Sequence, residues 1–145
     1  PDKWMVTLTD TTSRDQNTPS ANTYYYSTMG SLNISVPIGV WDLLWIQCLS
    51  SYRTTAGTGR MKAGLSTANN SHSDVDLVVI GGMYYTGASE LQLFDTKTIF
   101  KTLTVTTKTT YYIVGVTPDA GMAQISFFNS ASGTKMRLQL TCEYL

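Results

Sequence analysis

Charge is what this sequence has least of. Charged residues are 14% of 145, against about a quarter in typical soluble proteins. Ten basic residues cancel ten acidic ones. No long-range field draws the chain toward nucleic acid or an acidic membrane, and no basic run exists, so nucleic-acid binding is not expected. No apolar run approaches the roughly 18 residues that span a bilayer, so membrane insertion by this domain is not expected either. Helix signals are equally scarce. The best of them, Val40 to Leu49, carries two Trp and an Ile and runs into Ser50-Ser51-Tyr52, which favours a strand.

Catalytic and metal-binding residue types are thin as well. His72 is the only histidine, so a Ser-His-Asp or Cys-His arrangement would have to use it. It lies in the polar run Asn69-Asn70-Ser71-His72-Ser73-Asp74 and is expected to be exposed and idle. Neither Cys48 nor Cys142 has zinc-ligand spacing. Both sit in apolar strand patterns and read as buried free thiols, since a bridge would require their strands to be neighbours. Asp74 and Asp76, with Asn69 and Asn70, show no calcium-loop spacing and read as a turn into the next strand. A glycosidase needs two facing carboxylates. Asp42, Glu90, Asp95 and Glu143 are scattered along strand patterns and read as solvated or paired. Gly57-Thr58-Gly59-Arg60-Met61-Lys62 lacks the ending of a phosphate loop and reads as a hairpin turn. The expectation is a chain that is not an enzyme and uses no cofactor or metal.

What is present is β pattern. Hydrophobic residues at 42% and aromatics at 11% exclude a disordered chain, and the length suits one domain, 1–145, with a core of its own. Met136, Leu138, Leu140, Cys142 and Tyr144 alternate with Arg137, Gln139, Thr141 and Glu143, the mark of a half-buried antiparallel strand. Trp4, Val6 and Leu8 alternate likewise, as do Leu32, Ile34 and Val36 before Pro37, which should end that strand. Ile125 to Phe128 is a short strand after the turn signal Pro118-Asp119-Ala120-Gly121. Thr98 to Thr110 is rich in β-branched residues, Gly81-Gly82 reads as a turn or bulge, and the stretches 10–22 and 66–74 read as loops. Roughly nine to eleven short strands at this spacing indicate an all-β antiparallel sandwich or jelly roll.

Three of the strands are apolar on both faces. Trp41, Leu43, Trp45 and Leu49 oppose Leu44, Ile46 and Cys48; Leu77, Val79, Met83 and Tyr85 oppose Val78, Ile80 and Tyr84; Tyr111 and Ile113 oppose Tyr112, Val114 and Val116. A sandwich of this size has no third layer, and soluble monomers avoid large exposed apolar patches. Either another subunit covers these faces, which predicts a homo-oligomer, or loops fold over them.

Tyrosines are the best binding signal. Tyr24-Tyr25-Tyr26 and Tyr84-Tyr85 cannot all point inward, because neighbours on a strand alternate. Tyr52-Arg53 follows a strand and precedes a loop. Tyr and Arg at loop edges suit protein contacts and sugar stacking. Tyr52, Arg53, Tyr84 and Tyr85 are the candidate ligand residues; core or interface packing is the competing use of such residues.

The Thr, Ser and Asn-rich composition, the two-faced segment Trp41-Asp42-Leu43-Leu44-Trp45-Ile46 and the terminal strand Met136 to Leu145 resemble the C-terminal domains of bacteriophage adsorption proteins: tail fibres, tailspikes and tail needle knobs. The resemblance spans the whole chain in style and carries over no individual functional residue. It implies a sandwich or jelly-roll homotrimer, often like the tumour-necrosis-factor fold, capping a stalk that precedes Pro1. It further implies a place on the virion tail, outside the cell, and a bacterial surface glycan or outer-membrane receptor as partner. The start at Pro1, without an initiator Met, agrees with a piece of a longer protein. A carbohydrate-binding module of a glycan-degrading enzyme is the alternative, followed by a structural capsid or assembly protein.

Overall fold

Eleven strands and one 3-10 turn succeed one another along the residues that the computed structural model describes, 3–85, 91–127 and 136–143. The strands are β1 (Lys3–Asp10), β2 (Arg14–Asn17), β3 (Tyr24–Tyr25), β4 (Asn33–Val36), β5 (Gly39–Arg53) and β6 (Gly57–Ser66). The 3-10 turn Val75–Leu77 precedes β7 (Val78–Tyr85), β8 (Leu91–Val105), β9 (Thr109–Val116), β10 (Gln124–Phe127) and β11 (Met136–Glu143). No α-helix occurs among the described residues.

All pairings are antiparallel, and they sort the strands into two sheets. In sheet A, β5 pairs along its whole length with β8, from Gly39 opposite Val105 to Arg53 opposite Leu91. Its other edge holds β11 and then β10, end to end. Beyond them, β1 pairs β11 and β2 pairs β10. In sheet B, β9 lies between β6 and the short pieces β3 and β4, and β7 closes the far edge of β6. Each sheet is therefore four strands wide once the end-to-end pieces are merged. Numbered along the chain, the merged strands run 1-8-3-6 in sheet A and 2-7-4-5 in sheet B. That is the wrapped order of a jelly roll, two interlocked Greek keys.

The odd residues of β5 build the centre. Trp41, Leu43, Trp45 and Leu49 are buried, joined from sheet A by Leu103, Val105, Ile125, Phe127, Leu138 and Leu140. Ile34, Val36, Met61, Ala63, Leu65, Val79 and Ile113 meet them from sheet B. The layers touch at Gly115, where a Cβ would lie 3.4 Å from Phe127 of the facing sheet. At one edge, Lys101 of β8 binds both Asp74 (2.8 Å) and Asp76 (3.2 Å) beside the 3-10 turn, tying sheet A to the segment that leads into β7. β4 ends at Val36, immediately before Pro37, because proline cannot donate to the ladder.

Two local expectations fail. The polar stretch 10–22 is not all loop, since β2 pairs with β10 there. Edge pairing is made by backbone groups and needs no apolar side chains. Arg14 on β2 bonds Asp10 at 2.6 Å and packs over Gly30, where a Cβ would fall 1.9 Å from its Cδ. Gly57-Thr58-Gly59 opens β6 instead of making the turn, which lies at 54–56. Gly81 and Gly82 lie inside β7. Gly82 has φ +153°, and a side chain there would lie 2.5 Å from the Gly59 carbonyl oxygen, so close strand approach explains this glycine.

The inward–outward alternation of β8 can be checked by substitution. Leu103 is buried and Thr104 exposed. Leu103→Ala should cost about 2–5 kcal/mol of unfolding free energy, whereas Thr104→Val should stay within about 0.5 kcal/mol. Urea titration of both variants measures the contrast, and equal effects would refute the register.

Candidate functional site

The outer face of sheet B carries two shallow concavities, and a third, of about 390 Å3, lies on sheet A at Asp42, Leu43, Phe100, Lys101 and Thr102. The pairings place Tyr24, Val116, Lys62 and Ile80 in one row across it, because Val116 faces Tyr24 on one side and Lys62 on the other, and Lys62 faces Ile80. The neighbouring row is Val114, Gly64 and Val78. Residues 67–77 fold back over this face. His72 lies on Gly64, where an added Cβ would be 2.2 Å from the ring; only glycine leaves room for the imidazole. Val114 and Val116, both pointing outward, are buried in consequence.

His72 is therefore packed, not idle. Its ring meets Tyr24 edge-to-face at 4.9 Å and 83°. Its Nε2 lies 3.3 Å from the Val114 carbonyl oxygen, an atom that only accepts, so the neutral ring carries its proton on Nε2. Burial pushes the imidazole pKa below its ordinary 6.5; the Val114 bond opposes that shift and the nearby Lys62 charge adds to it. Sequence reasoning missed this use of His72, because its partner is 42 residues away.

Two shallow depressions share Tyr24 as a wall. One, of about 370 Å3, is lined by Tyr24, Lys62, His72, Val75, Val78 and Ile80. The other, of about 300 Å3, is lined by Tyr24, Tyr25, Tyr26, Ser27, Thr28 and Asn69. The tyrosine run is held from below. Met29 is fully buried in the core, and Ser31 N–H bonds the Tyr26 carbonyl at 3.0 Å to close the turn. Tyr26 packs edge-to-face on Tyr112 at 5.1 Å, and its hydroxyl accepts from Asn33 Nδ2 at 2.8 Å. Tyr25 Oη accepts from Ser20 N–H at 2.9 Å. Tyr24 is the most exposed of the three. The arrangement offers aromatic edges, hydroxyls and an amide around an open groove, the chemistry that binds polyhydroxylated ligands.

The candidates Tyr52 and Arg53 do not form a joint site. Their side chains leave β5 on opposite faces. Tyr52 is half-buried on the outer side of sheet A. Arg53 is 9% exposed, and its guanidinium donates to the carbonyls of Thr55 (3.3 Å), Thr58 (2.8 Å) and Ala120 (2.7 Å). It pins the 54–56 bend to the loop before β10. Tyr84 and Tyr85 belong to β7, opposite Thr58 and Gly57; their side chains lie outside the described residues. No disulfide joins Cys48, which is buried, and Cys142, which is half-buried.

Sheet A presents a different outer face. Phe100 of β8 is 77% exposed, Met5 58% and Val40 56%, with Leu44 and Ile46 half-buried among them. Phe100 pairs with Leu44, and Met5 pairs with Thr141, the partner of Asp42. Exposed threonines 7, 9, 98, 102 and 104 fill much of the remainder with the exposed Asp42 and Arg137, and Arg137 and Gln139 lie opposite Ile46 and Leu44 on β11. The exposed apolar residues lie toward one end of this face; further along it, the outward-facing Cys48, Ser50 and Ser126 are buried. No family model matches this chain, and no curated protein matches it.

The packed His72 makes stability depend on pH. The folded pKa is depressed, so between it and about 6.5 the unfolded chain binds more protons. Stability should be full above pH 6.5 and fall as pH drops through the folded value. A second loss belongs below the ordinary carboxylate value of 3.8. Burial raises Asp10 and Asp119, but bonds from Arg14 and Arg60 outweigh it; the Lys101 bond lowers Asp74 directly. Urea midpoints at pH 7.5 and 5.0 should differ for the wild type and converge for His72→Gln. A wild type with equal midpoints would contradict the packed neutral imidazole.

Proposed function

We propose that this domain is a non-catalytic attachment knob: copies assemble through the outer face of sheet A, and each binds a bacterial surface glycan in the tyrosine-lined cleft of sheet B. One observation carries the reading. The uncovered apolar face and the aromatic cleft lie on opposite sheets of the sandwich, so assembly through one leaves the other open. The occupant of sheet A is a second copy of the same chain. The two ends of its apolar set, Phe100 and Met5, are separated by three strand spacings, about 14 Å. A chain of zero formal net charge meets no long-range repulsion from its own copies.

Use of the only histidine in packing, with Nε2 turned toward a carbonyl, supports binding over catalysis. The resemblance to phage tail fibres, tailspikes and needle knobs gives this design its setting: a homotrimer on the virion tail, reaching the host from the end of a stalk. Three clefts on one knob multiply weak individual affinities, because the second and third binding events are intramolecular. The cleft alone would equally serve a carbohydrate-binding module; Phe100, Val40 and Met5 in the open favour the knob.

Binding of the domain to bacterial cells and to an array of bacterial surface glycans tests the reading. Tyr24→Ala removes the shared aromatic wall and should weaken glycan binding roughly tenfold, a loss of stacking of the usual size. Absence of any glycan or cell binding, or a Tyr24→Ala variant that binds like the wild type, would overturn it.

A further inference from the structure

The depression walled by Tyr24, Lys62 and His72 differs in chemistry from the cleft beside it. Its aliphatic side is Val75, Val78 and Ile80. Val75 is 84% and Ile80 50% exposed, so both present aliphatic surface to the depression. Lys62 is half-buried and makes no hydrogen bond or ion pair with any described residue. Four other cations are paired with carboxylates: Arg60 with Asp119 at 2.6 Å, Arg14 with Asp10 at 2.6 Å, Lys97 with Asp95 at 2.8 Å and Lys101 with Asp74 at 2.8 Å; Arg53 bonds carbonyls instead. An ammonium held at the rim of an apolar concavity, with no carboxylate beside it, is arranged for an anion that arrives with an apolar face.

The site is built by the sheet and does not depend on loop conformation alone. Lys62 and Ile80 face each other across the β6–β7 ladder, and Val116 separates Lys62 from Tyr24. His72 is fixed by Gly64 beneath it, Val114 behind it and Tyr24 at its edge. The volume of about 370 Å3 falls in the range of small-molecule sites, about 300–1,000 Å3.

We propose that this depression binds the carboxylate-bearing ring of an acidic glycan. The inference rests on the glycan reading above and narrows it to one class of saccharide. The carboxylate pairs with Lys62. The C–H face of the pyranose packs on Val75, Val78 and Ile80. The neighbouring sugar passes Tyr24 into the cleft of Tyr25, Tyr26 and Asn69. A neutral sugar forgoes the Lys62 contact and leaves that charge facing solvent.

Calorimetry with matched probes tests the class. The probes are short oligosaccharides containing glucuronate or N-acetylneuraminate, each alongside its carboxyl-reduced counterpart, which carries a neutral hydroxymethyl group in place of the carboxylate. The wild type should bind at least one acidic probe roughly tenfold tighter than its reduced partner, as a charge-assisted contact warrants. Lys62→Gln should erase that preference while keeping the affinity for the reduced sugar, and Lys62→Arg should retain it. Equal affinity of the wild type for every acidic and reduced pair overturns the acidic class and leaves glycan binding standing. A preference that survives in Lys62→Gln overturns the role of Lys62. Failure of all probes, acidic and reduced alike, overturns the acidic class, and the bacterial glycan array and cell binding then decide the glycan reading separately. Thermal melts of the two Lys62 variants should match the wild type, since the ammonium has no partner within the described fold.

Discussion

From Trp41 to Leu49, the odd residues of β5 point into the sandwich, and the rest of the domain is arranged around that alternation. β8 follows β5 for fifteen residues on one edge, and β11 and β10 share the other. A slip of one residue would carry Trp41, Leu43 and Trp45 to the outside and bring Asp42 into the core. The two tryptophans hold the register, because both are essentially unexposed. The same constraint dictates what faces outward. Leu44 and Ile46 must lie on the outer surface, with Phe100 opposite Leu44 on β8. The apolar residues on the outer face of sheet A are thus a consequence of burying the tryptophans, and Phe100 and Val40 among them stay exposed.

Sheet B meets the same problem within the chain. Val114 and Val116 also point away from the core, yet both are buried, because residues 67–77 fold back and lay His72 over Gly64. The ion pairs from Lys101 to Asp74 and Asp76 anchor the end of that segment to the edge of sheet A. These pairs are partly exposed and each contributes little by itself; their value is in fixing where the segment lands. The cover is incomplete. Ile80, Val75 and Tyr24 stay partly open, and the gap between them is the depression at Lys62. Sheet B is therefore partly closed by its own loop and shaped into a site, while on sheet A a depression of about 390 Å3 lies at Asp42, Phe100 and Thr102.

Much of this was legible in the sequence and some was not. The alternations at Trp4-Val6-Leu8, at Trp41-Leu43-Trp45 and at Met136-Leu138-Leu140 gave strands because each is a local pattern with a period of two. Pro37 marked the end of β4 for an equally local reason. The two-faced strands were visible, but which of the two remedies applied was not: sheet B uses a loop, and that depends on a contact between residues 72 and 114. β2 was hidden because its pairing with β10 is made by backbone groups that the side chains Arg14-Asp15-Gln16-Asn17 do not advertise. Tyr52 and Arg53 looked like a pair in sequence and separate in space, since adjacent strand residues face opposite ways and the donors of Arg53 find carbonyls as distant as Ala120. The run Tyr24-Tyr25-Tyr26 was noticed as aromatic; its anchoring by Met29 and its meeting with His72 required the fold.

The solution mass, measured by light scattering over a wide range of concentrations, tests most directly whether sheet A is an assembly face. A constant mass near three times the 15.9 kDa of one chain is the expected result. A mass of one chain at every concentration would contradict it, because Phe100, Val40 and Met5 would then face water with no partner.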